Sequence, residues 1–217
     1  MLTKSNDRLD AELSDAEPLP RFRAWLDDDF LSNTFFGWLN AGANRVPGVV
    51  HRMNRMTSRA ISERAYSDLA HRVFTSPRRV VFRELEYALP REEGLAALRE
   101  ARRAVDASSW RISFPVEIRV APADDIPLST ASGRDTMYLA FHTHHRSDWD
   151  DHTAYFSAME RIMRDHDGRP HWGKLHTRTA ADLAPAYPRF GDFLAMRDRL
   201  DPERVFANEH LRRVLGD

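Results

Sequence analysis

Two pairs of residues spaced two apart stand out, because alternate side chains along a strand share a face. In the segment Phe114, Pro115, Val116, Glu117, Ile118, Arg119, Val120, the carboxylate of Glu117 and the guanidinium of Arg119 fall side by side. Phe114, Val116, Ile118 and Val120 fall on the other side, where helices could bury them. Glu117 and Arg119 admit two readings. One is a solvated surface ion pair, which contributes little. The other is the floor of a cavity, with an acceptor and a planar donor fork aimed at a polyhydroxylated ligand. Glu84 and Glu86 repeat the spacing as paired carboxylates, and ion pairing with neighbouring arginines is the simpler expectation for them.

Residues 169–174, Arg-Pro-His-Trp-Gly-Lys, place an imidazole, an aromatic ring, a glycine and an ammonium within four positions. Pro170 and Gly173 punctuate the backbone, so a loop is expected, and ligand contacts concentrate on such loops. The alternative is an exposed loop with Trp172 tucked into the core. Third comes the histidine cluster His142, His144 and His145, with Asp148 and His152 beyond it. Its spacing matches no metal motif, and no metal is assigned. Asp148 reads as a helix N-cap. His142 or Thr143 is expected to line the same cavity as Glu117, and the remainder to be surface.

The elements that must position these residues follow from periodicity. Residues 80–89 read as a strand stopped by Pro90, and residues 91–107 as a helix with Leu95, Leu98, Ala101 and Val105 on one face. Residues 112–121 and 135–143 read as strands. Residues 149–164 read as a helix carrying Tyr155, Phe156, Met159, Ile162 and Met163 on one stripe. Helical patterns are also expected over residues 21–45 and 49–61, and over most of the last forty or so residues. The order strand, helix, strand, strand, helix predicts an α+β fold: an antiparallel sheet covered by helices on one face, with a helical C-terminal segment.

Composition narrows the function. Lys plus Arg number 32 against 33 Asp plus Glu, a net charge of −1, so no basic face favours nucleic acid. With no cysteine there is no disulfide, thiolate ligand or thiol nucleophile. No apolar run approaches the ~20 residues of a transmembrane helix. The polar N-terminus carries no signal-peptide core, which predicts a cytoplasmic protein. No glycine-rich phosphate loop and no nucleophile elbow is present.

Four segments together are familiar: residues 80–90 (VVFRELEYALP), 115–119 (PVEIR), 169–174 (RPHWGK) and 200–211 (LDPERVFANEHL). In this order they resemble the C-terminal region of the D-arabinono-1,4-lactone oxidase family, with its L-gulono-1,4-lactone dehydrogenases and alditol oxidases. The resemblance implies a flavoprotein of the vanillyl-alcohol-oxidase type that oxidises a CH–OH group of a sugar lactone or polyol, with FAD as cofactor. It implies that Glu117, Arg119 and Thr143 face substrate, that His171 and Lys174 sit at the junction of flavin and substrate, and that Arg119 and Lys174 are catalytic.

It also implies three parts. Residues 1–20 would be an extended arm continuing from an FAD domain absent here, residues 21–168 the substrate-binding cap, and residues 169–217 a segment packing on the flavin domain. A truncated or split chain, with a separate FAD-binding domain as partner, is the corresponding expectation. The rivals are a non-catalytic remnant and a module that docks on another flavoprotein. By family analogy, membrane association is the alternative to the cytoplasm.

Overall fold

The computed structural model describes residues 18–26, 30, 33–34, 37–38, 66, 68–69, 71–72, 75, 79–110, 112–145 and 149–216. Two units make up the chain. One comprises Met1–Phe82, Arg111–Ser113 and His144–Ser147, and the other Arg83–Trp110, Phe114–Thr143 and Asp148–Asp217.

In the first unit a short helix α1 (Arg21–Ala24) follows Pro20, whose fixed φ suits a helix start. Wider, π-type turns continue at Trp25–Leu26, Phe30 and Asn33–Thr34. The rings of Phe22, Trp25 and Phe30 follow one another at 5.9 and 5.8 Å. The Asn33 side chain accepts from the Arg79 N–H at 2.7 Å. The helical pattern over residues 49–61 and the N-cap expected at Asp148 lie outside the described residues, as does most of the arm at residues 1–20.

The second unit is built on β1 (Phe82–Pro90), α2 (Arg91–Asp106), β2 (Glu117–Ala121), β3 (Thr136–His144), α3 (Trp149–Asp165) and β4 (Arg169–Pro170). The four strands form one open antiparallel sheet in the order β2-β3-β1-β4, which bears out the α+β expectation. Glu117 stands opposite Ala140 and Arg119 opposite Tyr138, while Tyr87 stands opposite Pro170 and Ala88 opposite Arg169. Two departures from the predicted elements have backbone causes. β2 starts at Glu117 rather than at residue 112, because Pro115 has no N–H to give to a ladder. Arg169 and Pro170 form an edge strand rather than loop, and an edge is where a proline costs least.

Helices α2 and α3 cover one face. Tyr155, Phe156, Met159, Ile162 and Met163 are all buried, as their stripe predicts. On α2 the inner face is Gly94, Ala97 and Ala101, whereas Leu95 is exposed. Small residues win that face because the helix lies close on the sheet. A Cβ on Gly94 would fall 2.2 Å from Met137 Sδ. α3 closes with a left-handed Asp167 (φ 57°), a Gly168 N–H to Met163 C=O bond of 2.8 Å and an Asp167 N–H to Arg164 C=O bond of 3.1 Å. These are the paired bonds of a Schellman ending. It reverses the chain directly into β4.

After β4 come α4 (Ala180–Leu183), a 3₁₀ turn (Ala184–Ala186), α5 (Phe190–Leu200) and α6 (Glu209–Leu215). Leu183, Tyr187, Phe190, Val214 and Leu215 form their core, with Trp172 packed against it. α6 is capped at its start by the Asn208 side chain, which accepts from the Leu211 N–H at 2.9 Å. No helix among the described residues is long and apolar enough to cross a membrane.

Candidate functional site

The two faces of the sheet are told apart by their contacts. Tyr87 on β1 donates to Glu160 of α3 at 2.6 Å, Met137 on β3 lies under Gly94 of α2, and Phe141 meets Tyr155 of α3. Those strand residues point to the helices. By alternation Glu84 and Glu86 of β1, Tyr138 and His142 of β3, and Glu117 and Arg119 of β2 point to the opposite face. That face, on which Glu86 and His142 are buried, carries a cluster of charge.

Glu86 is its centre. Its Oε2 accepts from the Arg119 guanidinium and from Lys174 Nζ, the latter at 2.5 Å. Lys174 Nζ also reaches Glu84 Oε1 at 2.5 Å. His142 Nε2 approaches the same Glu84 oxygen at 3.2 Å, and its ring stacks on Phe114. Two carboxylates on one strand face would repel each other, and the ammonium set between them removes that cost. Burial alone would raise the Glu84 carboxyl, but hydrogen bonds from His142 and Lys174 outweigh it and hold its pKa down to about 2. Glu84 is therefore a fixed anion at neutral pH.

Lys174 reaches β1 through a break in strand pairing. The His171 N–H donates to Glu86 C=O at 2.9 Å and the Leu175 N–H to Glu84 C=O at 3.0 Å. Two steps along β1 are thus matched by four along the returning chain. The extra residues bulge, as extra residues in a ladder do. Trp172 anchors the bulge on one side, with its indole N–H on Leu128 C=O at 2.9 Å and its ring 5.2 Å from Tyr187. Lys174 leaves on the other side, over the carboxylates.

The structure brings Arg119 and Lys174 together on one carboxylate, and it sets Glu117 beside Arg119 on the same face. His171 lies exposed at the start of the bulge, its Nδ1 accepting from the Gly173 N–H at 3.1 Å. Thr143 is not part of this group. It shares the helix side with Phe141, is buried, and its hydroxyl has no hydrogen-bond partner.

The sequence reading of Glu84 and Glu86 as ion-pairing carboxylates holds for Glu86 with Arg119, and Lys174 pairs with both. These cations come from residues 33 to 90 positions away, and the i, i+2 spacing of the two carboxylates on a strand was the signal available. The expectation that helices bury Val116, Ile118 and Val120 fails. They face the helix side but are 38, 50 and 58% exposed, because α2 and α3 lie over the inner strands and β2 is the outermost described strand. Among the described residues no three His, Asp or Glu side chains gather as metal ligands would.

A face with two cations pinned by carboxylates suits recognition of an electron-rich, hydroxylated ligand. The family model described as D-arabinono-1,4-lactone oxidase matches residues 2–214. The chain belongs to the D-arabinono-1,4-lactone oxidase family. The L-gulono-1,4-lactone dehydrogenase of Mycobacterium tuberculosis is 42% identical over 215 residues, 99% of this chain and 49% of that protein. The L-gulonolactone oxidase of Bos taurus is 34% identical across 78% of this chain and 39% of its own length. The alditol oxidase of a Streptomyces species is 36% identical across 60% of this chain and 31% of its own length. The chain spans about half, or less, of the length of these curated relatives.

Proposed function

We propose that this chain is the substrate-facing part of an FAD-dependent oxidoreductase that acts on a CH–OH group of a sugar lactone. The observation that carries the reading is the convergence of Arg119 and Lys174 on Glu86, on the sheet face opposite α2 and α3. Residues 1–20 are read as an arm from a flavin domain, residues 21–168 as the substrate cap, and residues 169–217 as the segment that packs on the flavin domain. That flavin domain would be a separate part of the assembly.

When bound, FAD supplies the hydride acceptor, and the protein's share is position and charge. The donor set would suit the ring end of such a cofactor rather than its pyrophosphate: two cations are held by carboxylates on the sheet face away from α2 and α3, and the sequence has no glycine-rich phosphate loop. His171 and Lys174 would stand nearest the ring. Oxidation of the carbinol would remove a hydride from carbon and a proton from the hydroxyl, the proton passing to solvent, and the oxygen would carry alkoxide character on its way to a carbonyl. Arg119 and Lys174 Nζ stabilise that charge, and being anchored already they reorganise little. Glu84 and Glu86 hold the cations in place. Glu117 accepts a hydrogen bond from a ligand hydroxyl beside Arg119, and Thr143 supports β3 from the helix side.

In the flavin-loaded protein, Arg119→Ala and Lys174→Ala should each slow flavin reduction in single-turnover measurements by roughly 10²-fold or more. Reduction rates equal to wild type would contradict both roles. The similarity to an alditol oxidase supports a second reading in which the ligand is an open-chain polyol. Competing a lactone against its alditol in the same assay separates the two.

A further inference from the structure

We propose that β2 is a self-recognition edge that pairs antiparallel with the β2 of a second copy of this chain, on a two-fold axis through Ile118. This inference goes beyond the oxidoreductase reading and does not depend on it. β2 is the outermost described strand of an open sheet. Such an edge presents backbone donors and acceptors to any strand that can lie against it, and proteins ordinarily blunt it with charge, proline or cover. Here Val116, Ile118 and Val120 stand exposed along it at 38, 50 and 58%.

The sequence of the edge says which occupant fits. Residues 116–120 read Val-Glu-Ile-Arg-Val, a pattern that matches itself when reversed. In an antiparallel pair centred on Ile118, Val116 stands opposite Val120 of the second copy, and Ile118 stands opposite Ile118. Glu117 then stands opposite Arg119, twice over. Centring the pair on Glu117 would set carboxylate against carboxylate, and centring it on Arg119 would set guanidinium against guanidinium. Parallel in-register pairing would likewise align like charges.

Opposite charges and apolar pairs directly across a ladder stabilise it, and like charges oppose it. Only the Ile118 register satisfies both faces, and it gives the isologous two-fold contact that is commonest in oligomers. The helix side gains an apolar row of six side chains. The other side gains Glu117 of one copy beside Arg119 of the next, which joins the two charged faces into one. Five-residue ribbons bury less than a standard interface, so the dimer should be weak and dependent on concentration.

The chain has no cysteine, so single engineered thiols report proximity cleanly. Purified Ile118→Cys should form a disulfide dimer under mild oxidation, because a residue on the axis meets itself. Ile126→Cys, equally exposed but off the axis, should not. In sedimentation equilibrium the wild-type mass should climb towards twice the monomer as concentration rises. Ile118→Lys should stay monomeric with an unchanged far-ultraviolet spectrum. Glu117→Arg should also lose the dimer, and Glu117→Arg with Arg119→Glu should restore it. If the doubly exchanged chain fails to fold, the thiol and lysine variants decide alone. A wild-type mass that stays monomeric at every concentration overturns the proposal. So do association that survives Ile118→Lys, equal cross-linking at 118 and 126, and capture of a different polypeptide by the 118 thiol.

Discussion

Lys174 Nζ lies 2.5 Å from Glu86 Oε2, the same oxygen that accepts from Arg119. One carboxylate therefore ties the bulge after β4 to the outer strand β2 across the whole sheet. The Glu86 side chain is only 4% exposed, so water cannot replace these partners. Glu86→Gln keeps the shape, removes the charge and turns an amide towards two cations. We expect a stability loss of about 1–3 kcal/mol, the usual cost of a broken buried charged hydrogen bond. Urea unfolding should show a lower midpoint at an unchanged slope. A midpoint equal to wild type would mean that Lys174 and Arg119 do not depend on Glu86.

Glu84 gives the cluster a pH signature. Burial works against its charge, but His142 and Lys174 hold the carboxyl at about 2, below the ordinary value of 4.5. A group whose folded pKa is depressed stabilises the fold above its unfolded pKa, and that contribution disappears as pH falls through the folded value. Wild type should therefore exceed Glu84→Gln in stability at neutral pH. The gap should narrow between about pH 4.5 and pH 2. A gap that stays constant across that range would show that the Glu84 carboxylate is not held by its partners.

Most of the sheet and its helices can be read directly from the sequence, since strand period and proline punctuation are local. The two ends that move, at residues 112 and 169, turn on whether a backbone N–H finds a neighbour, which only the pairing decides. The face of α2 is misread through Leu95 because hydrophobicity alone does not reveal that Gly94 must pass close to Met137. Glu117 and Arg119 are legible as neighbours from alternation. Arg119 and Lys174 are not legible as partners, because Glu86, the group that joins them, lies 33 residues from one and 88 from the other. The face of Thr143 turns on register alone, since a shift of one residue along β3 exchanges it with that of His142.

His166 joins the two covering helices. Its Nδ1 lies 2.7 Å from Glu93 and its Nε2 3.2 Å from Glu100, both on α2. Carboxylates only accept, so both ring nitrogens must carry protons for both bonds to exist. The hydrogen bond to Glu93 is the main cause of a raised pKa, partly opposed by burial and supported by Glu100. Here the sign is the reverse of Glu84. The stabilisation is complete below the unfolded value near 6.5 and is lost as pH rises through the raised folded value. Thermal unfolding of His166→Asn should fall below wild type in mild acid and approach it in alkaline buffer. Ring-proton titration by NMR gives the folded pKa directly, and a value at or below 6.5 would remove the basis for the clamp.

Gly94 sets how closely α2 can approach β3. A Cβ there would meet Met137 Sδ at 2.2 Å and Met137 Cβ and Cγ at 2.8 Å, too close for any ordinary contact. Either the methionine changes rotamer or the helix lifts, and overpacking of this kind costs typically about 1–3 kcal/mol. Gly94→Ala should therefore destabilise, even though alanine is the better helix former by about 1 kcal/mol. The clash is with a single side chain, so shortening that side chain should remove it. In a Met137→Ala background the same glycine substitution should cost far less, giving a coupling of about 0.5–3 kcal/mol between the two sites. Strict additivity in that double-mutant cycle would place the constraint on the backbone instead, and Gly94 would then matter for reasons other than the approach of α2 to β3.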